Sequence, residues 1–329
     1  MKVLFIGGTG NISVSASNLA VAKGIDLYLV NRGQQQVGIE GAQSLVADIT
    51  QPEQVRIALA DHQFDVVVNW IAYVEEDIER DLDLFRGRCG QYIFISSASA
   101  YQKPLTHPII TESTPMANPY WQYSRDKISC ENRLMRAYRE EGFPITIVRP
   151  SHTYDSRFPI AVGNWASYVI PQRMLAGKPI VVHGDGTSLW TLTHADDFAK
   201  GFVGLLGHLQ AIGHAFHITS DYVLTWNQVY EHIGEALGVQ PTLVHIPSEF
   251  IAKVDAGIGA GLIGDKMWSV IFDNSKIKRF VPDYVATIPF HEGIRRTVSW
   301  FQADEGRMHV RSEDDAQIER ILAAYQHAR

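Results

Sequence analysis

Short runs that are nearly continuously apolar or β-branched recur through the first half of this chain and constrain its fold more than any other feature. They lie at residues 3–6, 27–30, 44–47, 66–68, 92–95 and 145–148, and are rich in β-branched and aromatic side chains. Runs without polar alternation predict strands buried on both faces, as in a parallel sheet. Helical patterns lie between several of them, at 14–23 and 52–61. Strand and helix alternating in this way predict an α/β fold with a doubly wound parallel sheet.

The first run passes directly into Gly7-Gly8-Thr9-Gly10-Asn11-Ile12-Ser13, followed by a helical pattern. Glycines let a backbone turn tightly and approach a pyrophosphate that the helix N-terminus attracts. The sheet is therefore expected to be of Rossmann type, with Gly7, Thr9, Gly10, Asn11 and Ile12 holding a dinucleotide. Ser13 stands where a third glycine would pack helix on strand. A second literal match, Gly259-Ala260-Gly261-Leu262-Ile263-Gly264, follows no strand and is read as a loop or a tight helix contact. The second strand ends in Asn31-Arg32-Gly33, with no acid to bind the ribose of NAD. Arg32 favours the 2′-phosphate of NADP, or stacks on adenine, or faces solvent. Asp48 and Ile49 follow the third strand. Asp48 reaches adenine or caps the helix that starts near Pro52. Asn69 ends the fourth strand, on the cofactor's path.

Tyr123 and Lys127 stand four residues apart in a helical stretch, 26 residues after Ser97. Positions i and i+4 share a helix face. An ammonium beside a phenol favours the phenolate and lowers a pKa that starts near ~10. Such a tyrosine exchanges protons with an alcohol or ketone, and hydride transfer to a dinucleotide is the natural partner reaction. Ser97 by itself reads as a strand-end serine bonded to backbone.

After Pro150, prolines and glycines interrupt the pattern. A strand at 215–219 and a helix at 226–237 capped by Thr225 are expected. So is a tail helix at 313–328, with Ser312 as cap and Ile318, Ile321, Leu322 and Tyr325 as its stripe. The expected division is a dinucleotide-binding domain at 1–155, with parts of 189–210 added back, and a substrate-binding domain at 156–329. The 329 residues, 46% hydrophobic, suffice for both. A net charge of −7 without a basic block argues against nucleic acid. Two cysteines argue against a disulfide framework, and no His/Asp/Glu grouping has metal-ligand spacing. The first apolar run is too short for a secretory signal, and none reaches the ~18 residues of a membrane span. A cytoplasmic setting is expected.

The glycine turn, residues 94–101, the 111–119 segment, Tyr123–Lys127 with Glu131, and Val148-Arg149-Pro150 together resemble the extended short-chain dehydrogenase/reductase family. The resemblance is to its NAD-dependent epimerase/dehydratase group, from Met1 to about Phe301. Within that group the chain looks similar to an atypical branch that includes the chloroplast stem-loop-binding proteins. The resemblance implies that Tyr123 is the general acid/base and that Ser97 bonds the reacting oxygen. It also implies that Lys127 holds the nicotinamide ribose, with Pro150 close by, and that the protein is a homodimer through the Tyr123 helix and its neighbour. Three departures narrow the function. Ala98 and Ser99 replace the Asp-Glu pair of the dehydratases, so dehydration lacks its acid. Trp190 replaces an arginine that clamps a substrate phosphate in UDP-sugar epimerases. The helix-borne asparagine of the family's proton relay has no counterpart. Ser99, His152 and Trp190 are the candidate substrate contacts; His152 also reads as structural, and Trp190 as a packing aromatic. The reading is an NAD(P)-dependent sugar or nucleotide-sugar epimerase working by transient oxidation. A NADP-dependent carbonyl reductase and a non-catalytic dinucleotide-sensing or RNA-binding protein are the alternatives.

Overall fold

The computed structural model describes residues 1–33 and 38–328. Seven parallel strands form its central sheet. The first five are β1 (Lys2–Ile6), β2 (Asp26–Asn31), β3 (Gln43–Val46), β4 (Phe64–Asn69) and β5 (Cys89–Ile95). Ile145–Pro150 and Ala215–Ile218 complete it. The spatial order is Ala215–Ile218, Ile145–Pro150, β5, β4, β1, β2, β3. Four helices of the first half flank it: α1 (Ser13–Ala22), α2 (Pro52–Ala58), α3 (Glu75–Phe85) and α4 (Gln122–Glu141).

The apolar runs alternate between two cores, as the strand period of two requires. Val3 and Phe5 of β1 face a layer with Ala16, Ala20, Phe198 and Phe202. Leu4 and Ile6 face the opposite layer, with Cys130, Leu134 and Ala137 of α4. All four β1 side chains are fully buried. A third core lies beyond the strand ends, built around Tyr101, Tyr154, Phe158, Trp190 and Trp226.

After Pro150 the chain builds this third core, then returns to the sheet. Helix Ala195–Leu205 supplies Phe198 and Phe202 to the β1 layer, and Ala215–Ile218 pairs in parallel with Ile145–Pro150. The chain then leaves again for helix Trp226–Leu237, which Thr225 caps through a reciprocal box with Gln228. The last helix runs Ser312–His327 and buries Ile318, Ile321 and Leu322. Ser312 is not its cap: Arg311 occupies that position, without a side-chain cap bond, and Ser312 is the first helical residue. Three acids, Glu313, Asp314 and Asp315, complement the helix dipole there instead. The second glycine match falls on helix Ala256–Gly261 and the turn Leu262–Lys266. It is a tight contact, since a Cβ at Gly259 would meet that of Ala252 at 2.4 Å.

Candidate active site

Ligands of open parallel sheets bind beyond the carboxyl ends of the strands, where the strand order reverses. Here that point lies between β1 and β4, and a cleft of about 570 Å³ opens there. Its walls include Gly7, Gly10, Asn11 and Ile12 after β1, and Ser97 after β5. Tyr123 and Lys127 of α4, Pro150 and His152 also line it, as do Trp165, Asp265 and Lys266.

Gly7 has φ +85°, a conformation L side chains rarely adopt, and a Cβ there would meet Ile71 at 2.7 Å. A Cβ at Gly8 would meet Leu29 at 2.5 Å. Close helix–strand packing is thus set at Gly8. Ser13 instead staples the turn, its Oγ accepting from Gly10 N at 2.7 Å and donating to Gly7 O at 3.0 Å. Helix α1 has no side-chain cap and no acid in its first turn, and Asn11 Oδ1 is buried without a hydrogen-bond partner. A pyrophosphate fits such an N-terminus.

Several residues expected at the dinucleotide lie outside the walls of this cleft. Asn31 Oδ1 accepts from Gly33 N at 2.9 Å. Arg32 is exposed and makes no ion pair with a described residue. Asp48 Oδ1 accepts from the backbone and hydroxyl of Thr50, at 2.9 and 2.8 Å, and these bonds hold its carboxyl below the usual range. Ile49 is buried. Asn69 is fully buried, with its amide donating to Asp81 and its oxygen accepting from Ile71 N at 2.8 Å. Thr9 lines a neighbouring cavity with Arg157 and Arg307.

Tyr123 and Ser97 line the cleft together, and the Ser97 hydroxyl acts to lower the phenol's pKa. Ser97 Oγ lies 2.9 Å from Ser99 Oγ, which accepts from Ser124 Oγ at 2.8 Å, so a chain of hydroxyls runs back into the protein. Ser99 therefore supports Ser97 from behind. Lys127 is buried and donates to the carbonyls of Ala72 and Ile95, at 2.6 and 2.9 Å. Its third N–H remains for another acceptor. The pairing read from the sequence needs one correction. Burial pushes Tyr123 up to about 12, against the lowering effect of Ser97, and pulls Lys127 down to about 8. The two backbone carbonyls hold the ammonium 5.8 Å from the Tyr123 ring centroid, so it does not by itself make the phenol acidic.

His152 and Trp190 act together. Trp190 is buried in the third core and donates its indole N–H to His152 Nδ1 at 3.0 Å. His152 stacks on Trp165 at 4.6 Å. Sequence reasoning missed the grouping of Lys103, Asp265 and Lys266: the carboxylate lies 3.7 Å from one ammonium and 3.6 Å from the other. Their signal was a carboxylate between two cations, hidden by 162 residues of separation. Among the described residues no cluster of three or more His, Cys, Asp or Glu could hold a metal ion, and no helix is long and apolar enough to cross a membrane.

Burial disfavours the imidazolium of His152, His183 and His217, and all three sit below the usual histidine pKa, His183 at about 4. The unfolded chain then binds protons near pH ~6.5 that the folded one refuses. Stability should fall as pH drops from 7 toward 4, by about 1.4 kcal/mol per pH unit for each histidine in its window. Urea midpoints measured at pH 7, 6 and 5 check this; a flat or rising series contradicts it.

A model of the NAD dependent epimerase/dehydratase family matches residues 3–219. The chain is 27% identical over 292 residues to a 2'-dehydrokanamycin reductase of Streptomyces kanamyceticus, covering 86% of this chain and 80% of that protein. It is 28% identical over 265 residues to the chloroplast stem-loop binding protein of 41 kDa b of Arabidopsis thaliana, covering 76% of this chain and 67% of that one. Its fold matches the UDP-glucose 4-epimerase of Thermus thermophilus, solved in complex with NAD. The TM-score is 0.71 at 19% identity, over 92% of this chain and 99% of that one.

Proposed function

The chain belongs to the NAD dependent epimerase/dehydratase family, and from that premise we propose that it is an NAD(P)-dependent oxidoreductase acting at a hydroxyl- or carbonyl-bearing carbon of a sugar. The observation that carries this reading is the meeting of Ser97, Tyr123 and Lys127 in one cleft with the glycine turn. A nicotinamide dinucleotide, when bound, supplies the ring that gives or accepts hydride. The turn at Gly7, Gly10, Asn11 and Ile12 would hold its pyrophosphate, and Lys127 and Pro150 its nicotinamide end. Arg32 would meet a 2′-phosphate, which favours NADP.

Tyr123 carries the proton that moves to or from the substrate oxygen. With its pKa at about 12 it is protonated at neutral pH, and so is set to donate to a carbonyl. Ser97, on the same cleft wall, would offer a second hydroxyl to that oxygen. Lys127, kept in place by its two carbonyl partners, would hold the nicotinamide ribose beside that phenol.

The likeness to a reductase supports net reduction over the epimerase expected from sequence. The epimerase remains the second reading, supported by the family description; the same residues would then act twice, on opposite faces of the substrate. Counting cofactor separates the two. Incubating the full chain with NADPH and a panel of keto sugars should consume one NADPH per product. Conversion between epimers without net consumption supports the second reading, and no binding of either NADH or NADPH refutes both.

A further inference from the structure

We propose that Ser99 and Ser124 are positioning residues that leave the Ser97 hydroxyl one free role, a hydrogen-bond donor aimed into the cleft. The kinetic consequence rests on the oxidoreductase reading; the hydroxyl order itself rests on hydrogen-bond counting alone.

A serine hydroxyl has one hydrogen and two lone pairs. Ser97 Oγ accepts from Ser99 N at 3.2 Å, as the cap of the short helical turn Ala98–Ala100. Ser99 Oγ lies 2.9 Å from Ser97 Oγ, a spacing that allows either to donate. The next bond decides between them. Ser124 Oγ donates to Ser99 Oγ at 2.8 Å. Among the described residues, the Ser99 hydroxyl has no partners besides Ser97 and Ser124. Were Ser97 to donate to Ser99, the Ser99 hydrogen would lack an acceptor in a residue that is 3% exposed. Ser99 therefore donates to Ser97. Both lone pairs of Ser97 are then engaged, one by an N–H and one by an O–H, and only its own hydrogen is left. Ser97 is half-buried and lines the cleft with Tyr123. Its lowering effect on the Tyr123 pKa is that of a hydroxyl donating toward the phenol oxygen.

The chain orients a hydroxyl and carries no proton to solvent. It ends at Ser124, which is fully buried and whose hydroxyl has no further partner among the described residues. A hydroxyl free to turn must reorganise as charge develops on a substrate oxygen, whereas one held in place need not. Ser124 follows Tyr123 directly on α4, so one helix places both the phenol and the head of the hydroxyl chain. Asn118 secures the Ser99 backbone separately, its amide donating to Ser99 O at 2.9 Å and to Gly264 O at 2.7 Å. The turn should therefore stay in place when a side-chain hydroxyl is removed.

Two measurements on the full chain test this. Neutron diffraction from deuterium-exchanged crystals locates the hydroxyl deuterons without requiring turnover. They should point from Ser124 to Ser99, from Ser99 to Ser97, and from Ser97 into the cleft. A Ser97 deuteron directed at Ser99 overturns the proposal. The second measurement is a double-mutant cycle in the NADPH-dependent reduction of glyceraldehyde. Ser97→Ala should lower kcat about 100-fold and Ser124→Ala about ten-fold, each with NADPH affinity within about two-fold of native. In the Ser97→Ala background, Ser124→Ala should cost nothing further, because the hydroxyl it steers is gone. Losses that multiply, or a Ser124→Ala loss under about two-fold, make Ser124 a packing residue and overturn the proposal. Should Ser124→Ala fail to fold, Ser99→Ala runs the same cycle. Unchanged kcat in Ser97→Ala refutes the oxidoreductase reading, while deuterons in the expected order would still uphold the hydroxyl chain. Should glyceraldehyde not turn over, the deuteron positions alone decide.

Discussion

Tyr123→Phe should lower kcat by about 100- to 10,000-fold while leaving NADPH affinity within about two-fold. The substitution removes one oxygen and keeps the ring. The packing of that ring on Trp121, 4.9 Å between centroids, and its place beside Lys127 are preserved. Fold and dinucleotide site should therefore survive, and only proton transfer is lost. No nearby group can substitute: Ser97 is tied into the hydroxyl chain with Ser99, and Lys127 donates to two backbone carbonyls. Single-turnover reduction by pre-bound NADPH isolates the step. A rate within about five-fold of the native chain would make Tyr123 a packing residue and remove the chemistry proposed for the cleft.

Glu131→Gln should be the most destabilising conservative change, at about 3–5 kcal/mol. Glu131 lies one turn beyond Lys127 on α4 and is 1% exposed. Its carboxylate takes the Arg149 guanidinium at 2.5 and 2.9 Å and the Ser96 hydroxyl at 2.5 Å. Arg149 is itself 4% exposed and lies 4.9 Å from the Tyr101 ring centroid. Neutralising the acid strands that cation away from water. The pair also clamps α4 to strand Ile145–Pro150, so NADPH affinity should weaken as the Lys127 anchor loosens. Urea unfolding measures the loss. The double variant Glu131→Gln/Arg149→Met should recover part of it, because the orphaned charge is gone. A single-variant loss under about 1 kcal/mol would show that water reaches the pair.

The sheet was legible because most of its strands are buried on both faces, the edge strand β3 excepted, which leaves apolar runs too short to be helices. Helix α3 was not: its sequence is acidic, and its buried stripe of Ile78, Leu82 and Phe85 is thin. Helix spacing alone put Tyr123 and Lys127 on one face, whereas the place of Ser97 beside them was implied by the family resemblance. The electrostatics did not follow, because spacing says nothing of the carbonyls of Ala72 and Ile95 that claim the lysine. Asn69 read as a cofactor contact from its place at a strand end, yet Asp81 and Ile71 engage both ends of its amide. The Lys103–Asp265–Lys266 group was out of reach because each member is unremarkable in its own segment. Even Ser312 failed as a cap for a local reason, since the helix begins one residue earlier than a capping serine would allow.

The return of Ala215–Ile218 to the sheet edge has a consequence for how this protein can change over time. The polypeptide enters the third core at Pro150 and comes back to pair with the very strand it left. The segment 151–214 is thus an insertion held by the sheet at both margins, and no single cut detaches it, whereas the helices after Ile218 follow the last strand of the sheet. Loops within it, such as the one carrying Trp165, can be rewritten by mutation without disturbing the strand ends that carry Ser97 and the glycine turn. Exchanging the whole C-terminal half between relatives would instead remove an edge strand and leave a row of backbone amides and carbonyls bare.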